Sequence, residues 1–161
     1  MKTRQNDKQR EQFIGEMGIV LEQLGIPRMA GKIFGCLLIS NKTEVPVGQL
    51  VLQLQASPGS VSTMTRLLIQ MGLVDKLGRP GDRKDYFRIK PGTWTQILRA
   101  KMAQIIEFHD LIERGMTLVG SRDAIPYNRL REMHEVYSFF EREFPNLFDR
   151  WEQYQKQMSK K

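Results

Sequence analysis

Apolar residues recur at intervals of three and four along most of this chain, and this pattern predicts a mainly helical protein. A first stripe runs from about Arg10 to Gly25, and further helices are predicted over about 28–40 and 45–54. A fourth helix should begin at Ser57-Pro58 and run to about Met71, since serine caps free N–H groups and proline fits the first turn. On the second helix Gly31 and Gly35 lie four residues apart, which indicates a place where another helix packs closely.

After the fourth helix the period changes to that of β-strands. Residues 73–77 and 85–90 form two short strand-like runs, and the segment 78–84 between them is rich in turn formers and basic residues. The pattern therefore predicts a β-hairpin with a long tip. Pro91 and Gly92 end it.

A long helix is predicted over about 93–119, with apolar residues in a seven-residue repeat. Such a helix would span ~40 Å, more than a small domain needs, so we expect much of it to pack against a second copy of the chain. A second stripe follows, broken at Pro145, with a short last helix after it. The predicted dimer contacts on the two stripes are Leu98, Met102, Ile105, His109, Ile112, Met116, Tyr137 and Phe140.

The order of four helices and a hairpin is that of a winged helix-turn-helix. The predicted fold class is mainly α with a small β-hairpin, that is, a winged helix-turn-helix domain plus a long helical dimerisation region. We expect a mobile basic arm at 1–12, the DNA-binding domain at 13–92, the dimerisation region at 93–158 and a tail at 159–161.

Composition excludes several classes of function. Cys36 is the one cysteine and there are two histidines, so a disulfide framework or a multi-cysteine metal centre is excluded and no metal site or cofactor is expected. No nucleophilic or phosphate-binding motif is visible, which argues against an enzyme. No window is apolar enough for a membrane span and no signal segment is visible, so we expect a cytoplasmic protein. His109 lies in an apolar stripe, either as a satisfied core or interface residue or as part of a sensing site.

The charge is uneven along the chain. The net charge is +7, and the stretch from Arg66 to Lys90 has seven basic and three acidic residues, so it carries +4 of that total. Together with the hydroxyl-rich outer face of the fourth helix, this concentration predicts a binding surface for double-stranded DNA. The candidate DNA-contacting residues are Ser57, Ser60, Ser62, Thr63, Thr65, Arg66, Lys76, Arg79, Asp82, Arg83 and Lys84.

Some of these residues have a second interpretation. Ser57 and Ser60 could serve only to cap the fourth helix. Asp82 would repel phosphate unless it bonds locally, by closing an Asx-turn or by holding Arg83 in a fixed rotamer. We favour the second role for function, and the two roles are compatible. The basic hairpin could also be a solvated edge that its charges protect from aggregation.

The recognition-helix region resembles the MarR superfamily, in which a Val-Ser pair and a Gly-Leu-Val step flank the helix; here they are Val61-Ser62 and Gly72-Leu73-Val74. The run Gly81-Asp82-Arg83-Lys84, followed by Tyr86 and Phe87, resembles the wing of the GbsR branch of that superfamily. The segment 25–35 also resembles that branch. The resemblance covers about residues 13–118.

The resemblance implies a homodimeric transcriptional regulator, more often a repressor, in which Ser62 and Arg66 match recognition-helix positions and Asp82 and Arg83 match the wing. Members of the GbsR branch include regulators of osmoprotectant genes that respond to choline-type ligands, a specificity that we do not transfer. An aromatic cage for a small-molecule effector would have to come from candidates such as Phe34, Phe87, Trp94 and Phe108, which could equally be ordinary core residues. The alternatives to a regulator are a protein-interaction module and a sequence-independent architectural DNA binder.

Overall fold

The computed structural model describes residues 2–120, 122 and 125–158, and the predicted tail at 159–161 lies outside them. The chain divides into two compact units, Met1–Thr93 and Trp94–Lys161. The elements of the first unit are α1 (Lys2–Gln23), α2 (Arg28–Leu38), β1 (Val45–Pro46), α3 (Val47–Leu54), α4 (Pro58–Gln70), β2 (Val74–Arg79) and β3 (Asp82–Ile89). The second unit consists mainly of α5 (Thr93–Val119) and α6 (Ile125–Met158).

The segment predicted as a basic arm is helical from Lys2 onward. Residues 2–12 contain neither glycine nor proline and are rich in lysine, arginine and glutamine, which are good helix formers. The start of α1 is also attached to the rest of the unit, because the Arg10 guanidinium donates a hydrogen bond of 2.6 Å to the carbonyl of Ile39. The segment expected to be a basic arm is therefore part of α1, and its mobility stays a prediction.

Helices α1 and α2 approach closely where the sequence predicts it. A Cβ placed on Gly31 would lie 2.8 Å from the Cα of Gly18 and 3.1 Å from the carbonyl oxygen of Met17. A Cβ on Gly35 would lie 3.1 Å from the Met17 side chain. The prediction of a close helix contact at these two glycines is confirmed.

The core of the first unit lies under a small antiparallel sheet. Its largest fully buried side chains include Phe34, Ile33, Leu50, Leu68, Val61 and Val74. The sheet has the strand order β1-β3-β2, with Val45 opposite Phe87 and Lys76 opposite Phe87 on the other side. The sequence predicts a helix from Val45, but Val45–Pro46 is an edge strand, and Pro46 precedes α3 rather than lying within it. Proline without an N–H group is tolerated at such an edge.

The hairpin tip is shorter than predicted. The strands continue to Arg79 and Asp82, which pair, so only Pro80 and Gly81 connect them. Gly81 has φ = +78°, a conformation that glycine adopts without strain. The register shifts between Leu77 and Arg79, so β3 carries its extra residues at positions 83–85 as a bulge.

In the second unit, α5 and α6 lie antiparallel. Contacts connect Thr95 with Trp151, Phe108 with Tyr137, and Gly115 with Leu130. The helix α6 runs through Pro145, contrary to the predicted break. One missing N–H group does not end this helix, because the apolar stripe keeps its phase on both sides of the proline. Within the described ranges, no helix is long and apolar enough to cross a membrane.

Candidate nucleic-acid interface

The outer face of α4 is polar and open to solvent. Ser62, Thr63 and Arg66 are exposed, while Val61 and Leu68 on the opposite face are fully buried. Exposed positions three and four residues apart form one continuous face of a helix. Hydroxyl and guanidinium groups on such a face have the chemistry that reads base edges and phosphates in the major groove.

The N-terminus of α4 has the predicted cap. Ser57 Oγ accepts a hydrogen bond of 3.2 Å from the backbone N–H of Ser60, and Pro58 occupies the first turn. The N–H of Val61 donates to the carbonyl of Ser57. The N–H of Gly59 is therefore the donor in the first turn that neither of these two bonds uses. The capping interpretation of Ser57 is therefore confirmed, and its hydroxyl can still donate to a phosphate.

Thr65 does not belong to this surface, contrary to the prediction. It is 2% exposed, and its hydroxyl donates to the carbonyl of Val61 at 2.8 Å. The position lies four residues after Val61 on the buried face, where a threonine satisfies its hydroxyl by bonding to the preceding turn.

Three of the seven basic residues between Arg66 and Lys90 form ion pairs with acidic residues of the same unit. Lys76 pairs with Asp85 at 2.9 Å across the hairpin. Arg79 pairs with Glu44 at 2.7 Å and also lies 4.3 Å over the ring of Tyr86. The Glu44 hydrogen bond raises the pKa of Arg79, which keeps this guanidinium charged.

A third pair lies closer to the body of the unit, where Arg88 contacts Asp75 at 3.2 Å. These pairs partly neutralise the base of the wing, which we define as β2, β3 and the turn at Pro80-Gly81.

Asp82 orders the tip of the wing. Its Oδ1 accepts the backbone N–H of Lys84 at 2.9 Å, and its Oδ2 accepts the hydroxyl of Tyr86 at 2.7 Å. The hydrogen bond from Tyr86, and then that from Lys84, lowers the pKa of Asp82. The Asx-type contact that the sequence allows is thus present. The favoured alternative, a bond to Arg83, is not among the contacts of Asp82 in the described chain.

The remaining cations face solvent. Arg66, Arg83 and Lys84 are exposed, and none of them forms an ion pair within 4.0 Å with any acid that the structure describes. Lys90, just after β3, is also exposed, so three of these four cations lie on α4 and at the tip of the wing. This distribution of charge favours a binding surface for a polyanion over the alternative of a solvated hairpin edge.

The predicted dimer contacts fall into two groups. His109 and Ile112 are 6% and 3% exposed within a single chain, so their burial needs no partner copy. The sequence predicts that the apolar repeat of α5 packs against another chain. In the structure α6 packs antiparallel on α5 and covers His109 and Ile112. Leu98 and Phe140 remain exposed, and Met102, Ile105, Met116 and Tyr137 are half-buried.

An apolar stripe on α6 stays open to solvent, and it includes Phe140 of the predicted contacts. Its members recur at spacings of three, four or seven residues and are 37–56% exposed: Met133, Val136, Phe140, Leu147, Trp151, Tyr154 and Met158. We call this set the α6 stripe. An apolar surface of this length on a helix indicates a protein contact.

The four candidate effector aromatics do not form one cage. Phe34 and Phe87 are 1% and 3% exposed core residues of the first unit. Trp94 and Phe108 belong to α5 and are 14 residues apart, which corresponds to about 21 Å along a helix. Phe108 instead packs on Tyr137, with ring centroids 5.0 Å apart.

Sequence reasoning missed two contacts of the wing, that of Glu44 with Arg79 and that of Tyr86 with Asp82. Glu44 lies 35 residues before Arg79, and no local pattern connects them. Tyr86 follows Asp82 by four residues, a separation that a regular strand would stretch to more than 12 Å. Only the bulge at positions 83–85 brings the two side chains together.

Comparison with known proteins gives the family. Residues 92–154 match the family model described as MmpR5-like MarR family transcriptional regulator. The HTH-type transcriptional regulator MmpR5 of Mycobacterium tuberculosis is 31% identical over 142 residues, covering 88% of this chain and 86% of the relative. A solved structure described as that of a transcriptional regulator is 32% identical, with a TM-score of 0.68 over 90% of this chain and 99% of its own.

These matches support the winged-helix fold and regulation of transcription, a function that is generally not enzymatic, and they do not confirm the GbsR branch. The chain belongs to the MarR family of transcriptional regulators.

Proposed function

We propose that this protein is a sequence-specific repressor that binds a near-palindromic operator as a homodimer. The observation that carries the proposal is the exposed row Ser62, Thr63 and Arg66 on α4. It is accompanied by Arg83 and Lys84 at the tip of the wing, which pair with no acid among the described residues. In this arrangement α4 reads bases in the major groove. The wing holds the adjacent phosphates or minor groove.

The second copy is expected along the α6 stripe. Seven apolar side chains on one helix face would stay in water in a lone chain, and their burial supplies the driving force for association. Two recognition helices related by a dyad require half-sites with centres ~34 Å, or about 10 base pairs, apart. Such a dimer covers roughly 20 base pairs, which supports repression by exclusion of the polymerase.

We also keep the GbsR-like wing as part of the proposal. Of its aromatic pair, Tyr86 orders the tip through Asp82, while Phe87 anchors β3 in the core. We assign no effector to the four aromatic candidates, because their positions do not converge.

The testing experiment is a selection of fragmented genomic DNA by the purified protein at ~150 mM salt, read by sequencing. Recovery of a near-palindrome by the wild type is expected. The Arg66→Ala variant should recover a weaker or relaxed motif, because one base or phosphate contact is lost. The matched control is Lys101→Ala, which removes an exposed cation from α5.

The other outcomes contradict the proposal in different ways. Uniform recovery of all fragments would indicate an architectural binder. No recovery would favour the protein-interaction module. On a template carrying the recovered motif, transcription in vitro should fall as the protein is added, and a rise would contradict repression.

A further inference from the structure

A cluster of metal-ligating side chains lies between α5 and α6, where the sequence predicts no metal site. One donor atom each from His109, Glu113 and His134 lie within 4.8 Å of one another. His109 and Glu113 are four residues apart on α5, so they share a helix face. These two residues and His134 of α6 belong to the same compact unit.

The ring of His109 is already oriented as a ligand would be. Its Nδ1 lies 2.8 Å from Glu141 Oε2, and its Nε2 lies 2.8 Å from Ser138 Oγ on the side of His134. A carboxylate that accepts the N–H of one ring nitrogen fixes the tautomer in which the other nitrogen carries a free lone pair. Metal-binding histidines are commonly held in this way.

The spacing of the donor atoms suits a small divalent ion. With metal–ligand bonds of about 2.1 Å, neighbouring tetrahedral ligand atoms are ~3.4 Å apart. His134 Nε2 and Glu113 Oε1 are separated by 3.4 Å. The rings of His109 and His134 have centroids 4.8 Å apart, so a modest side-chain rotation, together with displacement of the Ser138 hydroxyl, brings both onto one ion.

The cluster is also reachable from solvent. The side chain of His109 is 7% exposed and forms the floor of the cluster, while His134 is 31% and Glu113 56% exposed. An ion can therefore enter past Glu113 and His134. Two imidazoles and one carboxylate with an open fourth position form a donor set that favours zinc and its neighbours over magnesium or calcium.

We propose that each chain binds one divalent transition-metal ion, with zinc as the first candidate, through His109, Glu113 and His134. Glu141 is a positioning residue that acts through His109. Since the site lies within the second unit, the inference does not rest on DNA binding. The competing interpretation is a metal-free hydrogen-bond network in which Ser138 and Glu141 merely satisfy a buried histidine.

The test is a titration of the tag-free, metal-stripped protein with Zn²⁺ by calorimetry, and with Co²⁺ by visible absorption. The chain has only two histidines, so no other imidazole contributes. One equivalent per chain is expected, with a Co²⁺ spectrum of low coordination number that Zn²⁺ abolishes. His134→Gln and Glu113→Gln should each weaken binding at least ~10-fold, and Glu141→Gln ~10- to 100-fold.

Glu143→Gln is the matched control, since Glu143 is an exposed carboxylate of α6 outside the cluster. Circular dichroism of each variant checks that the helices are intact. Absence of one-equivalent binding by the wild type overturns the proposal. So does wild-type affinity in both His134→Gln and Glu113→Gln, whereas unchanged affinity in Glu141→Gln refutes the role of Glu141.

Discussion

The hydroxyl of Tyr86 donates a hydrogen bond of 2.7 Å to Oδ2 of Asp82, and this contact closes the bulge at the tip of the wing. Because Asp82 also accepts the N–H of Lys84, one carboxylate fixes the backbone on which the exposed cations Arg83 and Lys84 are displayed. The acid in a DNA-facing loop thus has an internal role. The hydrogen bond that Tyr86 donates to Asp82 raises the pKa of Tyr86 and lowers the pKa of Asp82.

Removal of this hydroxyl should weaken DNA binding without unfolding the unit. In Tyr86→Phe the ring stays in place beside Arg79, but Asp82 loses its side-chain donor and the tip loses order. We expect affinity for a recovered operator to fall roughly 3- to 10-fold, the effect of one hydrogen bond. Fluorescence anisotropy with a labelled duplex measures the affinity, and circular dichroism should show that the helices stay folded at the assay temperature.

The pH dependence of this contact has a definite sign. The lowered pKa of Asp82 means that the hydrogen bond stabilises the folded wing tip at neutral pH. This stabilisation is lost only as pH falls through a value below the ordinary 3.8. The raised pKa of Tyr86 means that the contribution persists until pH rises above 10. A Tyr86→Phe variant that binds the operator as tightly as the wild type at pH 7 would show that the bond is dispensable.

Arg83→Ala should change the salt dependence of binding. If the exposed guanidinium meets a phosphate, its removal lowers affinity across all sequences. It also reduces the slope of log K against log salt concentration by ~1. Anisotropy titrations between ~50 and ~200 mM salt give this slope. Lys101→Ala, on the exposed surface of α5, should leave it unchanged, and an unaltered slope in Arg83→Ala would remove Arg83 from the interface.

Leu147→Asp should separate the proposed dimer. Leu147 is 55% exposed in the α6 stripe, and a charge there would be buried without a partner in any dimer that uses this face. The lost apolar burial is of the order of 1.5–3 kcal/mol for each copy and counts twice in a symmetric dimer, so we expect the dimer dissociation constant to rise at least ~100-fold. Sedimentation velocity over a concentration series measures the change.

Leu52→Asp is the matched control for that measurement. Leu52 is 80% exposed on α3 in the first unit and lies outside the α6 stripe. If Leu147→Asp and Leu52→Asp both keep the assembly state of the wild type, the proposed dimer interface on the α6 stripe is contradicted. Loss of assembly in Leu52→Asp alone would place the contact on the first unit.

Cys36 should be inert in the folded protein. Burial raises the pKa of its thiol to about 11 against the lowering effect of Arg10 and Lys32. At pH 8 the thiolate fraction is therefore roughly 100-fold below that of an ordinary thiol, and reaction with a disulfide reagent should be slow until denaturant is added. Because the folded-state pKa is raised, the free energy of unfolding should fall as pH rises from 9 toward 11. Rapid labelling at pH 8 would contradict the burial of this side chain.

Much of the first unit could be predicted because its signals are local. Ser57 and Pro58 fix the start of α4 within the chain segment that they begin, and the cap is present. β1 could not be predicted in this way, since Val45 forms a strand only by pairing with Phe87, 42 positions later. Thr65 was wrongly predicted to contact DNA for a related reason. In a helix rich in serine and threonine, the sequence does not show which hydroxyl lies on the buried face.

The second unit shows the same limit. The α5 repeat predicts a packed helix correctly, but periodicity does not say whether the cover comes from the same chain or from another. In the cluster of His109, Glu113 and His134, only His109 and Glu113 are related by a helical spacing that the sequence shows, since both lie on α5 four residues apart. The third ligand becomes a neighbour through the antiparallel packing of α6.

The close contact between α1 and α2 permits a test with one chemical change at two positions. In Gly31→Ala the new methyl would meet the backbone of Gly18 at 2.8 Å, so the helices must separate, which should cost about 1–3 kcal/mol of unfolding free energy. In Gly15→Ala nothing lies within 4 Å of the new methyl, and the better helix propensity of alanine should stabilise α1 by ~0.5–1 kcal/mol. Urea denaturation followed by circular dichroism measures both. Equal effects of the same sign would show that the two helices are not in the close contact described above.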